Sequence, residues 1–321
     1  MKESFWKRAL KLCIIQLKNL DQNSKKYLYK ILHKKLNLWD NIEKYSPSSN
    51  AYKALHFLKH QKNFPKINIA YAFNRRKINL IILSIFSLLK NSEYEIINII
   101  LLYNDITQFE LQQINELKEI RSFTLLTQYV SNELFFDFPL IDGTGKELWY
   151  KFILTDKFSD LDKIIYLDSN TIIRKSLLPL WEINMNNKLI AAVEDISFSK
   201  DKAKKANLKD NFYFNTEVLL INVKKWRKVR LFEKVINYIK KNRQIFEPEI
   251  TILNVITDMK KIHLNPEYNY MEKCWIDNIC HNNTEHLELY KKNNPSIYNY
   301  KGSKYIEYSS SLFINDYNKI F

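Results

Sequence analysis

The chain has 321 residues, enough for one large domain or two small ones with a sizeable core, and 46% of them are apolar, which excludes an intrinsically disordered chain. Only three glycines occur, Gly143, Gly145 and Gly302, so a Rossmann dinucleotide fingerprint is excluded; three cysteines are too few for a disulfide framework, which points to a reducing compartment. The net charge of +15 is lopsided, because residues 1–66 hold 15 Lys and Arg against 4 Asp and Glu, leaving only +4 for residues 67–321.

In the basic segment Trp6, Ala9, Leu10, Cys13, Ile14, Leu17 and Leu20 recur at helical spacing, with Lys7, Arg8, Lys11 and Lys18 toward the other side. This amphipathic basic helix has two readings: attachment to an anionic membrane surface, or docking on the main domain with its lysines in solvent. No DNA- or RNA-reading motif accompanies the charge, so nucleic acid is not the expected partner. No small-residue cleavage site follows Leu20, and the longest apolar run, Ile78 to Leu89, is too short to cross a bilayer. A cytoplasmic protein is the expectation, peripheral at the inner face of the cell membrane on the first of these two readings.

A turn-like segment from Tyr45 to Asn50 and a helix from Ala51 to His60 lead to Asn63-Phe-Pro-Lys66, which divides a helical extension (1–66) from a main domain (67–321). Ile67 to Phe73 then reads as a strand, Lys77 to Leu89 as a buried helix, Glu95 to Tyr103 as a strand, Gln108 to Leu117 as a helix and Phe123 to Leu126 as a short strand. A helix from about Leu148 to Lys157 follows, and then Asp162 to Ile173, where an apolar strand runs into the polar break Asp168-Ser169-Asn170. Alternating strands and helices imply a mostly parallel α/β sheet covered on both faces, with ligands at the carboxyl ends of its strands. Asp168 and Asn170 would stand at that edge as oxygen donors suited to a hard cation, although strands ending in Asp or Asn are commonly just turn starts.

The order of several segments resembles glycosyltransferase family 8. They are Ile67-Asn-Ile-Ala-Tyr-Ala72, Leu83 to Lys90, Asp162-Lys-Ile-Ile-Tyr-Leu-Asp168, Leu189-Ile-Ala-Ala-Val-Glu-Asp195, Tyr213-Phe-Asn-Thr-Glu217 through Arg227, Ile252-Leu-Asn254, Leu264 to Asn269 and Pro295 to Gly302. The resemblance covers about Ile67 to Lys304. It implies a GT-A fold, a Rossmann-like mixed and mostly parallel sheet flanked by helices, that moves a hexose from a nucleotide sugar, UDP-hexose by analogy, to a glycan or glycolipid acceptor with retention. Lipopolysaccharide or other surface-glycan synthesis is the implied setting. The alternative is a catalytically degenerate GT-A domain that binds a glycan or a protein.

The resemblance also implies roles. Asp168, Asn170 and Asn299 match an Asp-x-Asp and a distant His that hold Mn²⁺ or Mg²⁺, with one carboxylate kept of two, so the site would be weakened or lost. Donor contacts fall on Ala72, Asn74, Asp168, Asp195, Asn215, Gly302 and Lys304, and the catalytic positions on Glu249 and Asp195. Asn74-Arg75 stands for an acidic pair that meets the base, Phe152 for a basic side chain near the nucleotide, Glu217 for a small residue beside the sugar, and Ile250 and Thr251 for the Gln and Asp after Glu249. Cys274, Cys280, His281 and His286 are spaced too widely for a usual zinc site, Gly143-Thr-Gly-Lys146 reads as a polar turn before a helix, and Lys224-Lys-Trp-Arg227 as a helix start.

Overall fold

The structure, a computed structural model, describes residues 64–92, 95–140, 145–195, 199–242, 244–271 and 295–300. The basic extension up to residue 63, the Cys274–His286 cluster, Gly302 and Lys304 lie outside them. The first half runs β1 (Lys66–Phe73), α1 (Ile78–Asn91), β2 (Ile96–Tyr103), α2 (Gln108–Glu116), β3 (Thr124–Tyr129), α3 (Leu154–Lys157), β4 (Lys163–Leu167) and β5 (Thr171–Ile173). Then come α4 (Leu178–Glu182), β6 (Ile190–Glu194), α5 (Ser199–Lys205), β7 (Phe214–Asn222), α6 (Val223–Lys228), α7 (Leu231–Lys241), α8 (Pro248–Ile256), β8 (Lys261–His263), β9 (Tyr270–Met271) and β10 (Ile297–Asn299). Seven strands form one sheet in the order β3-β2-β1-β4-β7-β6-β8, and β5, β10 and β9 form a second. In the large sheet β7 alone runs against its neighbours, pairing antiparallel with β4 and β6, while the other pairs are parallel.

Both faces of the large sheet are covered, which is why its central strands read as unbroken apolar runs rather than alternations. Ala70, Ala72, Ile100, Leu102, Ile164, Tyr166, Leu219 and Ile221 pack on one side with Trp149, Phe152, Trp226, Val235 and Ile252. Ile69, Tyr71, Ile99, Leu101, Ile165, Leu167, Val218 and Leu220 pack on the other with Ile81, Ile85 and Leu88 of α1. The two serines that interrupt the apolar run of α1 are spent on the structure around it. Ser84 Oγ lies 3.1 Å from both the Tyr71 hydroxyl and Thr171 Oγ1, and Ser87 Oγ accepts the Ile173 backbone N–H at 2.9 Å. Helix α1 thereby fastens β5, the strand that leaves the polar break at Asp168.

Two expected elements differ. The stretch from Asp162 to Ile173 is two strands in two sheets, because Asp168 closes a turn: its carbonyl accepts from Thr171 Oγ1 at 2.7 Å, and its Oδ1 accepts the Asn170 N–H at 3.2 Å. The helix expected over Leu148 to Lys157 is an eight-residue 3₁₀ segment, Lys146–Ile153, followed by the single turn α3. Its side chains are anchored all round, with Trp149 Nε1 donating to the Pro139 carbonyl at 3.1 Å, the Tyr150 hydroxyl to Asn132 Oδ1 at 2.6 Å and Lys151 Nζ to Glu249 at 2.7 Å. The tighter winding of three residues per turn meets these fixed partners on several sides. No helix of the described residues is long and apolar enough to cross a membrane.

Candidate active site

The reversed direction of β7 brings its first residues to the edge where β1, β4 and β6 end, and the polar side chains of that edge meet there. One step beyond the last β4–β7 pair, Leu167↔Val218, the Asp168 N–H donates to the Glu217 carbonyl at 2.8 Å. One step beyond β6, the Asp195 N–H donates to the Tyr213 carbonyl at 2.9 Å. Between these points a step of two along β6 (Ala192 to Glu194) matches a step of five along β7 (Leu219 to Phe214), a bulge that takes Asn215, Thr216 and Glu217 out of the regular β6–β7 ladder.

Asp168 is buried, and its Oδ1 accepts from Ser169 Oγ at 3.0 Å and from Asn170 Nδ2 at 2.8 Å. Beside it, Asn215, Glu217, Asn269 and Asn299 form a buried ring. Asn215 Oδ1 accepts the Glu217 backbone N–H at 2.8 Å and Asn269 Nδ2 at 3.0 Å, while Asn299 Nδ2 donates to Asn269 Oδ1 at 2.8 Å and to the Glu217 carboxylate. The backbone donor fixes every amide in turn. Because Glu217 N–H can only donate, Asn215 presents oxygen, Asn269 answers with nitrogen, and Asn299 must turn its nitrogen toward both Asn269 and Glu217.

Glu249 lies in the first turn of α8, where Pro248 opens the helix and the positive end of the helix dipole favours a carboxylate. Both its oxygens are engaged, Oε1 by Lys151 Nζ at 2.7 Å and Oε2 by Thr216 Oγ1 at 3.0 Å. Lys151, 2% exposed, also donates to the Thr216 carbonyl at 3.3 Å and lies 4.5 Å from the centre of the Tyr166 ring. Burial, and after it the carboxylates of Asp168, Glu249, Glu147 and Glu217, hold the Tyr166 phenol well above its ordinary range. Those four acids therefore act on one phenol.

Asp195 Oδ2 accepts from Lys202 Nζ of α5 at 2.9 Å, and the same lysine pairs with Glu247 at 2.9 Å. Burial alone would lower the Lys202 ammonium, but hydrogen bonds and charge from Asp195 and Glu247 outweigh it and raise the value. Glu247 occupies the left-handed region at φ 39°, and the Tyr213 hydroxyl, 3.1 Å from Glu247 Oε2 and 2.8 Å from Thr251 Oγ1, helps hold it there.

Asp168, Asn170, Asp195, Asn215, Glu249 and Asn299 thus gather on the first residues of β7 and the strand ends beside them. Ala72 lies in β1 with its methyl in the core, paired with Leu102. Asn74 follows β1 and donates from Nδ2 to Glu147 Oε1 at 2.8 Å. Gly145 permits that carboxylate to fold back: a Cβ there would stand 2.0 Å from Glu147 Oε2. Arg75 turns away, donating from Nε to Glu110 of α2 at 2.7 Å. Ile250 packs beside Tyr213 and Thr251 donates to the Phe246 carbonyl at 2.6 Å. Lys146 Nζ donates to the carbonyls of Phe135, Phe136 and Phe138, so it braces a loop.

Phe152, which stands for a basic side chain in the resemblance, is fully buried, 5.7 Å from the Trp149 ring and 6.2 Å from Trp226. The side chain that turns into the site from this segment is its neighbour Lys151. A buried lysine needs an acid partner, and in a run of aromatic residues that requirement is the signal that could have singled it out.

Asp168 and Glu217 are carboxylates and Asn170 and Asn299 amides, whose nitrogens face those carboxylates, so a hard divalent ion would be held through the carboxylate and amide oxygens. Among the described residues no group of three His, Cys, Asp or Glu side chains is arranged to hold a metal, so amides would have to complete it.

The chain is similar to a Haemophilus influenzae protein named as a glycosyltransferase, with 31% identity over 209 residues, 64% of this chain and 63% of that protein. It is 21% identical to lipopolysaccharide 1,2-glucosyltransferase of Escherichia coli over 229 residues, 69% of this chain and 68% of that one. Among solved structures, the galactosyltransferase LgtC, crystallised with donor and acceptor sugar analogs, superposes with a TM-score of 0.65 at 21% identity, covering 74% of this chain and 88% of that one. That likeness shows a GT-A fold. The sequence model of glycosyl transferase family 8 matches residues 68–304, and the chain belongs to that family of glycosyltransferases.

Proposed function

We propose that this chain transfers a hexose from a nucleotide sugar, UDP-hexose, to a glycan or glycolipid acceptor with retention, in the synthesis of lipopolysaccharide or another surface glycan. The observation that carries the reading is the meeting of Asp168, Asp195, Asn215 and Glu249 on the bulged start of β7 in a family 8 chain. The name of the Escherichia coli relative supports the setting.

In this reading Asp195, steadied by Lys202, and Asn215, steadied by Asn269, hydrogen-bond the hexose and fix its angle. Glu249 is a placed charge rather than a nucleophile, because Lys151 and Thr216 occupy both its oxygens; it stabilises the positive charge that grows at the anomeric carbon. The bond from that carbon to the diphosphate breaks as the acceptor oxygen bonds on the same face, and the acceptor proton leaves with the diphosphate. A divalent cation, Mn²⁺ or Mg²⁺, held by Asp168, Asn170 and Asn299 would neutralise charge on the departing diphosphate. Gly302 and Lys304 would approach the phosphates from the segment that follows β10. Residues 1–66 would bring the domain to an anionic membrane surface on the cytoplasmic side.

A donor-hydrolysis screen across several nucleotide hexoses, with and without Mn²⁺, tests this. UDP-hexose is expected to be cleaved by the wild-type chain and not by folded Asp168→Ala or Asp195→Ala variants. Turnover unchanged in both variants, or no cleavage and no UDP binding by the wild type at millimolar ligand, would remove the reading.

A further inference from the structure

We propose that Glu217 is the second carboxylate of the cation site, supplying from β7 the charge that Asn170 does not carry. The inference rests on the transferase reading and concerns how the same site keeps its affinity for a divalent ion.

The loop after β4 offers one acid, Asp168, because the residue two positions on is an amide whose Nδ2 is turned toward Asp168 Oδ1 at 2.8 Å. An amide in that place contributes no net charge to a bound cation. Directly across the ladder stands Glu217. The hydrogen bond from Asp168 N–H to its carbonyl at 2.8 Å brings the two backbones together one step beyond the last regular β4–β7 pair. Both side chains are at least nine-tenths buried, Asp168 at 5% and Glu217 at 3% exposure. A divalent cation at this buried edge would be attracted by both negative charges rather than by one.

Asn299 joins the two sides. Its backbone neighbour Tyr300 donates from N–H to the Asn170 carbonyl at 2.9 Å, and its own Nδ2 donates to the Glu217 carboxylate and to Asn269. With both amide protons committed, the group Asn299 has to offer an incoming cation is its carbonyl oxygen, and the carboxylate on its nitrogen raises the electron density there. Carboxylates behind metal ligands set orientation and basicity in this way. A similar exchange recurs elsewhere in the fold: Asn74 stands where an acid is expected, and a carboxylate, Glu147, arrives against it from another element at 2.8 Å. Positions 217 and 299 are in direct contact, and Tyr300, the residue after Asn299, ties that strand to Asn170.

The test is Mn²⁺ binding to the full chain in the presence of UDP, read by electron paramagnetic resonance of the free ion, with thermal unfolding as a check on folding. Glu217→Gln, which keeps an acceptor for Asn299, is expected to weaken Mn²⁺ about tenfold or more, and adding Asn170→Asp to it to recover most of the loss. Wild-type affinity in Glu217→Gln, or a folded double variant as weak as Glu217→Gln, overturns the inference. If Glu217→Gln does not fold, Asn170→Asp alone decides: a change below about threefold shows the second charge already present, and a larger tightening shows it missing. UDP binding without any Mn²⁺ response in the wild type sinks this inference and leaves the transferase reading standing, whereas absence of UDP binding removes that reading itself.

Discussion

Replacing Lys151 by Met probes the centre of the site. The lysine keeps Glu249 company at 2.7 Å, and neither side chain is more than 6% exposed. At that separation the attraction is about 6 kcal/mol with an effective dielectric constant near 20, most of it offset by the cost of taking both ions out of water. Removing one partner leaves the other ion buried with a single hydroxyl donor, Thr216, and such losses run to about 3–5 kcal/mol. In a domain of this size that lowers the unfolding midpoint by roughly 10 °C. Removing both ions in Lys151→Met/Glu249→Leu should return most of the stability, since an apolar pair of similar volume replaces a buried salt bridge at little cost, while donor hydrolysis stays abolished. Urea unfolding of the two single variants and the double variant forms a closed cycle. A loss under about 1 kcal/mol for Lys151→Met, or effects that add to within about 0.5 kcal/mol, would refute the buried-pair account.

Phe152→Leu should cost stability through lost ring packing against Trp149 and Trp226, about 1–3 kcal/mol, and leave UDP affinity by titration unchanged; weakened UDP binding in a folded variant would restore a nucleotide role to this position. Lys202, raised above its ordinary 10.5 by Asp195 and Glu247 against the lowering effect of burial, adds stability that is complete below that pH and lost as pH rises through the raised value. Lys202→Met should therefore flatten the alkaline limb of the unfolding curve, followed by circular dichroism, and an unchanged limb would count against the pairing. Glu110 is held down to about 2 by the backbone and side chain of Thr107, with Arg75 assisting against burial, so its contribution is full above pH 4.5 and fades as pH falls toward 2. Glu110→Gln should lose that acid-dependent part, and identical acid titrations of stability would refute it.

The large sheet was legible because strands covered on both faces leave long apolar runs, and the carboxyl-edge position of Asp168 followed from the strand before it. Helix α1 was equally readable, but the hydrogen bonds that Ser84 and Ser87 make to β1 and β5 were not. The second sheet was not, since β5, β9 and β10 have two or three residues each and the pairing of β5 with β10 joins segments more than a hundred positions apart. Nor was the direction of Lys151. In the run Leu148-Trp-Tyr-Lys-Phe-Ile153 a single lysine stands among apolar and aromatic residues that show no clear face, so the tertiary partners decide which way it turns. The contact between Glu217 and Asn299 was beyond any local pattern, because a bulge in β7 brings it about. The basic extension, Gly302 and Lys304 belong to stretches outside the described residues.

The antiparallel course of β7 has a consequence for how this site can change. Its neighbours deliver functional groups by their C-terminal ends, so lengthening a loop after β4 or β6 moves those groups outward along the strand axis. β7 enters at the same edge from the loop before it, and its apolar second half is clamped between β4 and β6 over Leu219 to Ile221. Alterations in the 206–213 loop can therefore move Asn215, Thr216 and Glu217 while the anchored half stays in register. If the proposed transfer holds, donor preference can drift at one end of a strand whose other end is fixed.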